Sequence, residues 1–322
     1  MALAAAHRAE LVRPSADDRA KPILVTGAPR SGTTWVGRML TRAPRVGYIH
    51  EPFNPTTDPG ISGRPFTRFF QYVTPESEAP FAPHLERSLR FSYDLRRQLP
   101  TVRSPRAVAR TAVDFATFTR LRVTGARPLV KDPIAVFSAE WLADRFAMQV
   151  VVTIRHPAAF VASFTGVGYR HDFNTFLAEP QLLADRLGPF ESEIRRYAAR
   201  PGDPIDEAVL LWRLVYATVE GYRAERPDWL FPRHEDLARD PVDGYASLYA
   251  ALGLEYSDRI QAAIREHSSA KNPDRLKEKH DVRLDSRASL GGWRRVLDDE
   301  RIRRIREGAA DVWPAFYSDD EW

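Results

Sequence analysis

Apolar positions along the chain fall into two kinds of run. Short strand-like stretches occur at Ile23–Gly27, Val46–Ile49, Leu129–Lys131, Gln149–Ile154 (the clearest, a β-branched run) and Trp229–Pro232. Between them lie longer stretches with apolar residues three and four apart, the spacing of a helix with one buried face. Trp35, Val36, Met39 and Leu40 predict a helix over Thr33–Leu40. Further helices are predicted over 106–123, over Ser138–Phe146, after Pro157 (Phe160, Val161, Phe164 buried), and over 206–226 (Val209, Leu210, Trp212, Leu214, Val215, Val219). Strands alternating with helices predict an α/β fold: a central, mostly parallel sheet of about five strands with helices on both faces.

Residues 52–105 break this rhythm. Proline is frequent and aromatics are interspersed, including Phe53, Phe66, Phe70, Phe81 and Phe91. A long irregular stretch in a compact domain is usually functional or disordered, and its aromatics favour an ordered cap, so 52–128 is expected to be a substrate-side insertion. Residues 1–20 read as a flexible arm, 21–322 as one domain, and 268–292 as a polar loop. Ligands in parallel sheets sit beyond the carboxyl ends of the strands. Arg30, Glu51, Lys131 and Arg155 all fall just after, or at, a strand end.

Composition narrows the classes. The 322 residues are 43% hydrophobic, enough for a large core. A formal charge of +4, from 47 basic and 43 acidic residues, is too small and scattered for a nucleic-acid binder. The absence of cysteine excludes disulfides, thiol nucleophiles and thiolate metal sites. No apolar run approaches the ~20 residues that span a bilayer, and no signal-peptide pattern opens the chain; a cytoplasmic protein is expected. Only five basic residues are lysine, so Lys131 in its apolar setting stands out.

The chemistry concentrates in the turn after the first strand: Gly27-Ala28-Pro29-Arg30-Ser31-Gly32-Thr33-Thr34-Trp35. A helix start leaves free N–H groups and a partial positive charge, which favour phosphate. The spacing is that of the nucleotide-triphosphatase loop, G-x-x-x-x-G-K-[ST]. Thr33, however, stands where that loop has lysine, and the cation has moved to Arg30.

These residues together resemble the sulfotransferases that use 3′-phosphoadenosine 5′-phosphosulfate (PAPS), in particular a bacterial, carbohydrate-type branch. Pro29–Trp35 is similar to the family's PKSGTTW loop. Arg155 and Ser163 keep the spacing of its 3′-phosphate motif. Phe231–Leu237 with Asp240-Pro241 is similar to its "YEDL…P" segment, with His234 for tyrosine. Ser286-Arg287 to Gly292–Arg294 is similar to its closing loop. The resemblance implies a P-loop-type three-layer fold and PAPS as co-substrate, with the bisphosphate PAP as product and no metal. It implies Arg30, Ser31, Gly32, Thr33, Thr34 and Trp35 at the phosphosulfate (Trp35 on adenine, or in the core), Arg155, Ser163 and Arg287 at the 3′-phosphate, and Lys131 at the sulfonate. Pro133 occupies the position of the cytosolic branch's catalytic histidine, so Glu51 becomes the candidate base, with His50 as its rival. If the second strand continues, these two point to opposite sides. His234 and Glu235 read as structural.

The acceptor implied is a hydroxyl of a small molecule, carbohydrate or glycolipid. Two other readings stay open: a P-loop small-molecule kinase, which asks for a lysine at Thr33 and a strand-end acid for magnesium (Asp132, beside Lys131, could be argued for it), and a catalytically silent nucleotide-binding protein.

Overall fold

The computed structural model describes residues 20–273 and 285–322. The expected N-terminal arm and the middle of the expected 268–292 loop lie outside the described residues, apart from Ala20 of the arm. Four strands form the sheet: β1 (Ile23–Gly27), β2 (Val46–His50), β3 (Arg127–Lys131) and β4 (Gln149–Thr153). Their spatial order is β2-β3-β1-β4 and every pair is parallel. The pairings Gly27↔Thr153, Val25↔Lys131 and His50↔Lys131 bring the four carboxyl ends to one edge.

Among the described residues the sheet has four strands rather than about five. The segment Trp229–Pro232 does run parallel to β4, with Leu230 opposite Val151 and Arg233 opposite Ile154, but only as isolated bridges. Pro232 has no N–H and interrupts the ladder between the bonds that the Leu230 amide donates to the Val150 carbonyl and the His234 amide to the Ile154 carbonyl.

Both faces of the sheet are apolar because side chains alternate along each strand. Ile23, Val25, Leu129 and Val151 face one core with Val36, Met39, Tyr245 and Ile264. Leu24, Val130, Val150 and Val152 face the other, larger core with Phe160, Leu210, Trp212 and Leu214. Helix α1 (Thr33–Leu40) lies on the first face; helices Pro157–Thr165 and Pro204–Glu225 lie on the second. The layers are therefore helix, sheet, helix.

Between β2 and β3 the chain forms helices Pro59–Ser62, Ala82–Leu89, Leu95–Gln98 and Pro105–Val123. Aromatics knit this stretch together: Phe53 stacks on Phe66 at 3.9 Å, and Phe66 on Phe81 at 5.0 Å. Among the described residues, no helix is long and apolar enough to cross a membrane.

Candidate active site

The turn after β1 is set by two glycines. Gly27 has φ +138°, and a Cβ there would lie 2.5 Å from the Thr153 carbonyl oxygen; Gly32 has φ +92°, and a Cβ there would lie 2.5 Å from His234 Nδ1. Only glycine tolerates both the backbone angle and the space. Arg30, with φ 68°, completes the turn in a conformation that a side chain disfavours. Ser31 closes the loop from inside. Its amide donates to the Ala28 carbonyl at 3.1 Å, and its hydroxyl lies 2.6 Å both from that oxygen and from Thr153 Oγ1. Ser31 thus ties the loop to β4.

Gly32 is the N-cap of α1, with no side chain bonded to the free N–H groups and no acid in the first turn. Thr33 and Thr34 sit at that end and line the cavity, and neither caps the helix. The N-terminal partial charge is left without a counter-charge, which is the condition for an anion site. Trp35 turns the other way, edge-on to Tyr245 at 5.3 Å and to His234 at 5.7 Å.

Arg155 is aimed by the long helix behind it. Tyr216 Oη accepts from the Arg155 amide at 3.1 Å and donates to the Thr153 carbonyl at 3.2 Å, while Trp212 Nε1 donates to the Arg155 carbonyl at 2.9 Å. The Arg155 guanidinium donates to the Arg30 carbonyl, and its Nε is buried without a hydrogen-bond partner. Burial, then the nearby Arg30, lowers its pKa, against the opposing pull of Glu235. Arg30 Nε donates to Ser163 Oγ at 3.2 Å. Arg30, Arg155 and Ser163, scattered over 133 positions, therefore meet beside the α1 N-terminus. Among the described residues no carboxylate bonds either guanidinium, and two adjacent cations so placed suit a polyanion.

At the other end of the edge, Lys131 is almost wholly buried and forms an ion pair with Glu51. Asn54 Nδ2 donates to the second oxygen of Glu51 at 2.8 Å. Burial works against ionisation of Glu51, but Lys131, with His50 and Asn54, outweighs it and holds the carboxylate below its ordinary pKa. Strand β2 stops at His50 because Glu51 takes φ 44°. The alternation expected for a continuing strand therefore does not apply, and His50 and Glu51 both line the same cavity.

Asp132 is the residue whose part the sequence did not reveal. Fully buried beside the pair, it accepts from the Phe53 amide at 2.7 Å and the Ile134 amide at 3.1 Å. It clamps the turn carrying Glu51 onto the end of β3. Burial, and then the Glu51 charge, pushes its pKa up to about 8. An acid placed one residue before proline at a strand end is the available signal, because Asp there caps the following turn. With both oxygens bonded to backbone amides, Asp132 is poorly placed to hold magnesium for a kinase. Among the described residues no cluster of three or more metal-ligating side chains occurs.

The two halves of the edge open into one cavity of about 1170 Å³, lined by Arg30, Thr33, Thr34, Glu51 and Lys131 and extending under Tyr48, Phe118 and Tyr169. Arg287 is not part of it: exposed on the short helix Ser286–Leu290, it donates to the Arg239 carbonyl at 3.1 Å. Glu235 is structural, accepting from the His156 amide at 3.0 Å and from Tyr317 Oη at 2.8 Å. His234 packs on Gly32 with Nδ1 buried and unbonded.

The model of the sulfotransferase family matches residues 22–258. Human carbohydrate sulfotransferase 6 is 33% identical over 97 residues, which is 28% of this chain and 24% of the relative, so the match spans about a quarter of that protein's length. Among solved structures, mouse sulfotransferase SULT7A1 complexed with PAP aligns with TM-score 0.47 and 12% identity over 94% of this chain and 87% of its own. Sulfotransferase STF1 of Mycobacterium tuberculosis aligns with TM-score 0.44 and 17% identity over 91% and 77%. With its family model matched over most of its length, the chain belongs to the sulfotransferase family.

Proposed function

We propose that the chain transfers a sulfuryl group from PAPS to a hydroxyl of a carbohydrate, glycolipid or other small acceptor, with Glu51 as general base. The observation that carries this reading is the buried Lys131–Glu51 pair, in one cavity with an uncapped helix N-terminus and next to the Arg30–Arg155–Ser163 cluster. The residues fit a nucleotide with two separate phosphate groups. The Arg155 Nε, buried and unbonded, lacks an acceptor that a 3′-phosphate supplies, and the α1 N-terminus with Thr33 and Thr34 suits the 5′ end.

The donor supplies an activated sulfonate and leaves as PAP. Arg30 and the α1 amides stabilise charge gathering on the departing 5′-phosphate. Lys131 neutralises the sulfonate oxygens. Glu51 accepts the proton of the acceptor hydroxyl as its oxygen bonds to sulfur. As the buried ammonium turns toward the sulfonate, Glu51 loses the partner that depresses its pKa and becomes a stronger base when it is needed. His50, in the same cavity, adds positive potential near Glu51. The segment 52–128 serves as the acceptor-side cap over this cavity, and 21–322 acts as one domain. A cytoplasmic location fits the cysteine-free chain.

The test is a panel of hydroxyl acceptors incubated with PAPS carrying radioactive sulfur. Labelled acceptor supports the reading; label that stays on the nucleotide with every hydroxyl acceptor, alongside transfer to an amine, would move the reaction to nitrogen.

A further inference from the structure

The helix Pro105–Val123 forms one wall of the cavity and buries only Thr111, Phe118 and Leu121 of its nineteen residues. Its outer face is not polar. Val108, Ala112, Phe115, Ala116, Thr119 and Val123 recur at three- and four-residue spacing, so they share one side of the helix. That side is the exposed one: Val108 is 58% exposed, Phe115 40% and Val123 81%, with Val113 at 63% beside them. A surface helix ordinarily turns such a stripe toward the core.

The stripe is edged with charge of one sign. Over 103–123 there are five arginines (Arg103, Arg106, Arg110, Arg120, Arg122) and a single acid, Asp114. This local +4 equals the formal charge of the whole chain. Arg110 pairs with Asp58 and Asp114. The other four are exposed and, among the described residues, form no ion pair.

We infer that this helix docks the enzyme on an anionic phospholipid surface. An apolar stripe flanked by arginines, on a helix about 28 Å long by its rise per residue, is suited to lie in a bilayer interface, with the aliphatic stems buried and the guanidinium groups among lipid phosphates. A protein partner is less well matched, because four charges of one sign, without an ion-pair partner among the described residues, edge the stripe. The inner side of the same helix supplies Thr117, Phe118, Arg120 and Leu121 to the cavity wall. Docking therefore sets the acceptor end of the cavity beside the head groups, where a hydroxylated lipid reaches Glu51 without leaving the membrane. The lipid contact itself does not depend on the transfer reaction.

Sucrose-loaded vesicles test the inference without any donor. The protein is expected to sediment with phosphatidylglycerol–phosphatidylcholine vesicles, to stay in solution with phosphatidylcholine alone, and to be released at high salt. Each arginine near an anionic surface is worth about fivefold in partition, so the triple variant R103E/R106E/R122E is expected to lose at least about 100-fold. V108D/V123D is expected to lose about tenfold or more through the apolar contact. None of these five residues lines the cavity, so turnover of a water-soluble acceptor reports that the variants are folded. Equal sedimentation with both vesicle types, or sedimentation that the variants leave unchanged, would overturn the inference. So would a dimer in solution that V123D converts to monomer, because a second copy would then be what covers the stripe.

Discussion

Replacing Glu51 by glutamine separates the two roles assigned to the carboxylate. Lys131 is left as a buried ammonium, 2% exposed, without its partner. Breaking a buried ion pair from one side costs about 3–5 kcal/mol. Two features here reduce that figure. The Glu51 side chain keeps 19% exposure, so water already screens part of the pair. Asp132, whose ionisation is held back by burial and by the Glu51 charge, ionises more readily once that charge is gone and takes over some of the compensation. A loss of about 2–3 kcal/mol is therefore expected in urea unfolding, and Glu51→Gln/Lys131→Met is expected to recover at least half of it. Turnover is expected to fall by about 10²–10⁴ in both variants, the usual worth of a general base. Binding of adenosine 3′,5′-bisphosphate to Glu51→Gln, measured by calorimetry, is expected to stay within about threefold of the parent, a difference below about 0.7 kcal/mol. Stability within about 0.5 kcal/mol of the parent, the range of an inconsequential surface change, would refute the buried pair. Unchanged turnover would remove Glu51 as base and turn attention to His50.

Other expectations follow from the same geometry. Arg155→Ala is expected to weaken binding of a 3′-phosphorylated nucleotide by roughly 10–100-fold, the worth of a charged hydrogen bond, with little effect on its 3′-hydroxyl counterpart; equal losses for both in calorimetry would place the 3′-phosphate elsewhere. Gly27→Ala is expected to destabilise the fold and abolish nucleotide binding, because the new Cβ meets the Thr153 backbone at 2.5 Å; a soluble variant with parental melting temperature and affinity would contradict the loop geometry. His156 is stacked on Trp293 at 5.1 Å and its pKa is lowered by burial to about 3. The unfolded chain binds that proton near pH 6.5 and the folded chain does not, so stability is full above pH 6.5 and is lost as pH falls toward 3. His156→Gln is expected to cost stability at pH 7 and to lose about 2 kcal/mol less than the parent between pH 7 and pH 5; parallel stability–pH curves for the two proteins would argue against a buried neutral imidazole.

Much of the site was legible because its parts are local. The strand, the glycine spacing and the α1 start lie within thirteen residues, and Arg155 and Ser163 within nine. That Arg30, Glu51, Lys131 and Arg155 share an edge followed from the rule for parallel sheets, which the strand register bears out. Features that depend on distant contacts were hidden. The Ser31–Thr153 bond spans 122 positions, so the sequence does not show that this loop serine also braces the loop against β4. The end of β2 at His50 depends on the backbone angle of Glu51, to which hydrophobic periodicity is blind. Trp229–Pro232 has the composition of a strand, yet a single proline limits it to bridges. Arg287 was singled out by resemblance, and its position against Arg239 is set by the packing of Ser286–Leu290 on the helix His234–Arg239, with Ser286 Oγ donating to the Ala238 carbonyl at 2.9 Å.

Sulfuryl transfer from PAPS to a hydroxyl is proposed to rest on the Lys131–Glu51 pair and the Arg30–Arg155–Ser163 cluster acting together. Its most direct test is a single-turnover reaction of the full chain with radiosulfur-labelled PAPS and a hydroxylated acceptor, with chelator present and ATP absent. The account predicts label on the acceptor oxygen and one PAP released per label transferred, with both signals lost together in Glu51→Gln. Label transferred equally well by Glu51→Gln, or turnover that demands ATP and magnesium in place of PAPS, would contradict it.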